Sequence, residues 1–207
     1  MNRPVFHHII FDLGGVIINL DTQLTLKAFA AISGRSDEQV NNFVIEEPVF
    51  HHYEKGWVSD AQFREVIRNF SLNELSDQQI DDAWNAMILD LPVQRIALLR
   101  HLRSKFDITL LSNTNAIHML RVNEVRVEAG LPPFEEIFHG DYYSHELGMR
   151  KPDADIFEHV LDVHGFNREH TLFIDDSHAN IDGARAVGLQ TLHVTYPGEI
   201  MDFFADE

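Results

Sequence analysis

Two kinds of hydrophobic pattern alternate along the chain. Short apolar, β-prone runs stand at His8–Phe11, Ile108–Leu111, Ile137–Tyr143, Thr171–Ile174 and Thr191–Val194, with the length and composition of buried strands. Elsewhere apolar residues recur at helical spacing, as Phe63, Ile67 and Phe70 do. The spacing predicts helices over Thr25–Ser33, Ser36–Ile45, Val49–Tyr53, Ser59–Phe70 and Ser76–Leu89. Further helices run from Pro92 to Arg103, from Ala116 to Ala129, from Lys151-Pro152 to just before Gly165, and from Ala179 to Val187. Ser59-Asp60-Ala61-Gln62 fits a capping box. Pro92 and Pro152 stand where a helix tolerates a missing N–H.

From Ile108 onward strands and helices alternate at short spacing, the pattern of βαβ units and a parallel sheet. The first strand, however, is separated from the second by about ninety-five residues, where one crossover needs about thirty. The surplus is helical by pattern and reads as an insertion over the C-terminal edge of the sheet. The expected fold is α/β, a doubly wound parallel Rossmann-like sheet with an inserted all-helical cap. Residues 1–18 and 91–207 form the core in this reading and residues 19–90 the cap.

Composition narrows the function. With 207 residues, 44% of them hydrophobic, the chain has enough apolar material for a real core. Its net charge of −17 repels a polyphosphate backbone, which argues against a nucleic-acid partner. One small anionic substrate stays possible, because a metal and a lysine reverse the sign locally. There is no cysteine, so thiolate catalysis and Cys-ligated zinc are excluded. No apolar run reaches membrane-spanning length and no signal peptide is visible, so a soluble cytoplasmic protein without a membrane partner is expected. The thirteen histidines show no ligand pattern such as His-Glu-x-x-His. Trp57, Trp84 and the phenylalanines read as core, and the face around His51–Trp57 as a place for specificity.

Four stretches carry candidate chemistry. Asp12 ends the first strand and is followed by Gly14-Gly15, which let backbone approach a ligand. Ser112 and Asn113 end the second strand with groups that hydrogen-bond anionic oxygens. Lys151 offers positive charge at a helix start. Asp175-Asp176 place two carboxylates side by side, as a cation tolerates. Each alone has a plainer reading as turn, cap or solvated surface; their shared position at one sheet edge favours a site.

In sequence order, FDLGGV, LLSNT, GMRKPD and FIDDSHANIDGA resemble the four motifs of the haloacid dehalogenase-like hydrolases, and the helical insertion resembles that superfamily's cap. Within it the chain is most similar to the small sugar-phosphate phosphatases, such as the α-glucose-1-phosphate phosphatases. The resemblance implies that Asp12 attacks phosphorus and forms an aspartyl-phosphate. Mg²⁺ would be held by Asp12, the Gly14 carbonyl and Asp176, while Asp175 orders metal waters or Lys151. Ser112 and the Asn113 backbone would bind phosphate oxygens of a small phosphorylated metabolite, and Lys151 would offset their charge. Asn180 or Asp182 would offer outer support, unless they merely line an exposed helix face.

One position departs from the family pattern. Gly14 stands where most members carry a second Asp, whose acid–base help is typically worth about 10²–10⁴-fold. Asp21, His51, His52, Glu54 and His178 are the candidate replacements, with a metal-bound water or a weakly active enzyme as other solutions. Competing readings are a metal-free 2-haloacid dehalogenase and a phospho-ligand-binding module without turnover.

Overall fold

The computed structural model describes residues 5–207; residues 1–4 of the expected core segment lie outside the described residues. The strands are β1 (His8–Phe11), β2 (Asp107–Ser112), β3 (Gly140–Tyr143), β4 (Thr171–Asp175) and β5 (Gln190–His193). They form one parallel sheet in the order β3-β2-β1-β4-β5. β1 is central, and Phe11 is in register with Leu110 on one side and Ile174 on the other. Side chains alternate across the sheet: Ile9 and Phe11 join one apolar cluster, Ile10 the other.

The helices are α1 (Thr22–Ser33), α2 (Asp37–Glu46), α3 (Val49–Glu54), α4 (Asp60–Phe70), α5 (Asp77–Asn85), α6 (Val93–Arg103), α7 (Ala116–Glu128), α8 (Ser144–Leu147), α9 (Ala154–His164), α10 (His178–Ala186) and α11 (Glu199–Phe203). Helices α1–α5 all fall between β1 and β2 and enclose a separate core that includes Phe29, Val40, Phe63, Ile80 and Trp84. Their starts are set locally: Ser36, Ser59 and Ser76 each make a capping box with a glutamine three residues on.

Several expectations need correction. α5 stops at Asn85 rather than Leu89, because Leu20 and Ile88 pair in an isolated antiparallel bridge. β3 begins at Gly140, since Phe134–Glu136 form a 3-10 turn and Ile137 and Phe138 enter the core instead of the ladder. α9 starts at Ala154 with Asp153 as its cap, so Pro152 precedes the helix after a cis Lys151–Pro152 bond. Trp57 is 61% exposed and is not core. No helix among the described residues is long and apolar enough to cross a membrane.

Candidate active site

The sheet order reverses beside β1, and in open α/β sheets ligands bind outside the strand C-termini at such a point. Asp12 directly follows β1, its amide donating to the Ile174 carbonyl at 2.8 Å. Asp175 ends β4 next to it, and Ser112 ends β2 on the other flank. These positions follow from the apolar strands: each run is buried up to its last residue, and the first polar group emerges at the same edge.

Lys151 ties them together. Its Nζ donates to Asp12 Oδ1 at 2.6 Å, Asp175 Oδ2 at 2.7 Å and the Leu111 carbonyl at 2.8 Å. The lysine is fully buried and three residues ahead of α9, so its charge is neither solvated nor seated on the helix's first turn. All three ammonium protons have acceptors, which makes burial of the charge tolerable. Asn113 fixes its backbone: the amide donates to the Lys151 carbonyl at 2.8 Å and accepts its N–H at 2.9 Å. The Asn113 side chain is thereby occupied by protein.

The two adjacent aspartates separate by environment. Asp175 is fully buried and accepts from Lys151, from the Ser177 amide at 2.8 Å and from Asn180 Nδ2 at 3.0 and 3.1 Å. Asp176 is exposed, and a Cβ on Gly15 would collide with its carboxylate. Gly15 also has φ +70°, so both its backbone and its neighbour require glycine. Asp12, Asp175 and Asp176 bring oxygens within 4.8 Å of one another. Burial pushes the Asp12 carboxyl up to about 7 against the pull of Lys151, with Asp175 and Asp176 adding to the rise. Burial and the Asp175 charge raise Asp176 as well. For Lys151, burial lowers the ammonium but Asp12 and Asp175 outweigh it, and the net direction is upward. Three carboxylates against one lysine leave negative charge in excess, and an all-oxygen donor set of this kind is able to hold a hard divalent cation.

The remaining candidates disperse. Asp21 caps α1 by accepting from the Gln23 amide and is exposed. His51 and His52 are exposed on α3; His178 pairs with Asp182 at 3.1 Å on the outside of α10. Glu54 accepts from Arg150 at 2.9 Å, and Lys55 meets Asp153 at 2.9 Å. The His51–Trp57 face therefore docks on the segment around Lys151 rather than lining a cavity at Asp12. Asn180 reaches the site through Asp175, whereas Asp182 stays outside.

Sequence reasoning missed the seam between α5 and α7. Trp84 Nε1 donates to Asn115 Oδ1 at 3.3 Å and stacks on His118 with ring centroids 4.5 Å apart. His118 Nε2 lies 3.1 Å from the Trp84 carbonyl, and its Nδ1 lies 3.2 Å from the Asn115 amide nitrogen. The Tyr53 hydroxyl accepts from the Ile117 amide at 3.3 Å. The helical segment thus grips the turn that follows Ser112 and Asn113. Ser144 closes the same turn by accepting from the Thr114 amide and donating to its carbonyl.

Residues 6–188 match the family model of haloacid dehalogenase-like hydrolases. The chain belongs to this family. Among its relatives is a D-ribitol-5-phosphate phosphatase of Bacteroides thetaiotaomicron, 27% identical over 186 residues and 89% of each chain. A sesquiterpene phosphatase of Aspergillus oryzae is 28% identical over 92% of this chain and 90% of its own. A solved enzyme of the family from B. thetaiotaomicron, in a mutant complexed with magnesium and inorganic phosphate, superposes with a TM-score of 0.88 at 34% identity, covering 98% of this chain and 100% of that one.

Proposed function

We propose that the chain is a Mg²⁺-dependent phosphomonoesterase acting on a small phosphorylated metabolite, a sugar or sugar-alcohol phosphate. The observation that carries this reading is Lys151 bonded to both Asp12 and Asp175, with Asp176 beside them. One carboxylate is placed for attack, one cation neutralises it, and an outward carboxylate is left for a metal. Two phosphatases among the relatives, and a related enzyme with magnesium and phosphate bound, support it.

In this mechanism an Asp12 oxygen bonds to phosphorus as the ester P–O bond breaks, giving an aspartyl-phosphate and an alkoxide that takes its proton from water to leave as the alcohol. Water then cleaves the acyl phosphate and regenerates the carboxylate. Lys151 offsets the charge that accumulates as two anions meet, and its three acceptors keep it in place. The Ser112 hydroxyl and the Asn113 backbone N–H bind phosphoryl oxygens, the Asn113 side chain being engaged with Lys151. Asp12, Asp176 and the Gly14 carbonyl would hold Mg²⁺, which supplies Lewis-acid charge to the phosphoryl oxygens. Asp175, with all its partners inside the protein, orients Lys151. Residues 19–90 serve as the cap. A metal-free dehalogenase fits less well, because Asp176 would repel an anionic substrate beside Asp12.

Phosphate release from a panel of phosphorylated metabolites, with Mg²⁺ or excess chelator and with Asp12→Asn as control, tests the reading. Release that needs metal and disappears in the variant supports it. Absence of release above the variant across the panel rejects it and shifts weight to the dehalogenase or to ligand binding.

A further inference from the structure

The register of β2 and β3 sets Ser112 opposite Tyr143, so the residues that follow leave the sheet side by side. Ser144 opens α8 and is fully buried. A serine in such a place often bonds the backbone of its own helix; this one reaches the neighbouring loop instead. Its Oγ accepts from the Thr114 N–H at 2.9 Å and donates to the Thr114 carbonyl at 3.1 Å. One hydroxyl thereby uses its donor and an acceptor lone pair on a single buried residue.

Further along, the clamp is repeated in the opposite sense. Asn113 Nδ2 donates to the Lys151 carbonyl at 2.8 Å, and Asn113 Oδ1 accepts from the Lys151 N–H at 2.9 Å. Lys151 Nζ adds a bond to the Leu111 carbonyl at 2.8 Å. The loop from Leu111 to Thr114 and the segment from Ser144 to Lys151 are thus joined at both ends. Asn113 is held from every side: Ser112 closes β2 before it, Ser144 holds the peptide after it, and its side chain is tied to Lys151. Its N–H has a set direction. Donors fixed before the reaction need no reorientation when charge develops on the oxygens they bind.

We infer that Ser144 is a positioning residue of the phosphoryl site: its hydroxyl holds the Asn113–Thr114 peptide in one frame with Lys151, so that the anion-binding N–H and the cation keep their separation. This rests on the phosphomonoesterase reading, in which the Asn113 N–H receives a phosphoryl oxygen. Ser144 has no exposed surface and acts only through the loop.

The experiment compares wild type with Ser144→Ala and Ser144→Cys, the second keeping the shape of the side chain and losing its strong hydrogen bonds. It reads kcat/KM on the best ester of the panel, the Kd of inorganic phosphate with Mg²⁺ present, hydrogen exchange of the Thr114 amide, and Tm. Kinetics and binding are measured well below the lowest Tm, and Ser144→Cys serves alone if Ser144→Ala fails to fold. Both variants should lower kcat/KM and raise the phosphate Kd by about 10–100-fold, with faster Thr114 exchange. Ser112→Ala should cost less phosphate affinity in the Ser144→Ala background than in wild type, because the two act through one loop. A lower Tm with phosphate Kd and kcat/KM unchanged, or additive losses with Ser112→Ala, overturns the inference; an active wild type then leaves the phosphatase reading standing. A wild type that binds phosphate but releases none from any ester removes the phosphatase reading alone, and the Kd series decides the role of Ser144. A wild type that does neither removes both.

Discussion

Lys151 and Asp12, 139 positions apart in the chain, meet at 2.6 Å in a place where the lysine has no exposed surface. Breaking a buried pair by removing one partner typically costs about 3–5 kcal/mol, and here two carboxylates lose their cation at once. Lys151→Met is expected to lower stability on that scale at neutral pH and to cut kcat by at least about 10²–10³-fold. Asp12, already raised by burial, would lose the cation that pulls its carboxyl down and take up a proton more readily in the folded state than in the unfolded one, so the variant's melting temperature should recover as pH falls. A Tm deficit independent of pH would contradict this account.

Burial already raises Asp12 to about 7 in the protein as it stands. Between the ordinary carboxylate value and that point, the folded state binds more protons than the unfolded state, so this group's contribution to stability falls as pH rises. A divalent cation reverses the balance, because it binds the deprotonated cluster and competes with protons. The Tm increase produced by Mg²⁺ should therefore grow from about pH 4 to about pH 7 and level off above it. Thermal melts with Mg²⁺ and with chelator across that range check it; a Mg²⁺ effect that shrinks with rising pH would count against the cluster as the metal site.

Asn180 donates to both oxygens of Asp175, at 3.0 and 3.1 Å, and so fixes the carboxylate that orients Lys151. In the proposed mechanism it is a positioning residue. Partners of this kind commonly cost about 10–100-fold in metal affinity or activity when lost. Asn180→Ala should lower kcat on that scale with little change in KM, and Asn180→Asp should do worse by adding a carboxylate to an already negative cluster. A loss confined to KM would place Asn180 against the substrate instead.

What the sequence revealed of this arrangement depended on whether a signal was local. β1, β2 and β4 were legible because each carries a short apolar run, whereas β3, Gly140–Tyr143, lies past the apolar Ile137 and Phe138 that announced a strand there; Ser59 could be read as a cap because its partner Gln62 is three residues away. Asp12, Ser112 and Asp175 were legible as strand ends for the same reason. Lys151 was visible as a charge, but its burial was not: a Lys-Pro pair reads as solvated, and its carboxylate partners are 139 and 24 residues distant. α8 and α11, of four and five residues, are too short to show a helical period. Trp57 misled because a large aromatic defaults to the core, whereas here it lies over the Lys55 ammonium, 4.9 Å from the ring centroid, near the surface. Nothing near Gly14 in sequence announces that Leu20 turns back onto it.

Among the described residues, His118 is the one titratable side chain that lines a cleft of about 50 Å³ beside Gly14. Burial lowers its imidazole to about 4, and its nitrogens face an acceptor at Trp84 and a donor at Asn115, the pattern of a neutral ring protonated at Nε2. Two outcomes follow. Between about pH 4 and the ordinary value of 6.5 the unfolded state binds the proton that the folded state refuses, so stability rises with pH through that window. The difference corresponds to about 3 kcal/mol, which acidification should remove and which His118→Gln should largely abolish as a pH-dependent component. In catalysis a ring neutral and doubly engaged has no proton to spare for a departing alkoxide. On substituted phenyl phosphates, kcat should then climb steeply with the acidity of the phenol, as general-acid help worth about 10²–10⁴-fold is missing. A flat dependence on phenol acidity would mean that a proton donor reaches the ester oxygen after all, and its abolition in His118→Gln would identify the imidazole as that donor.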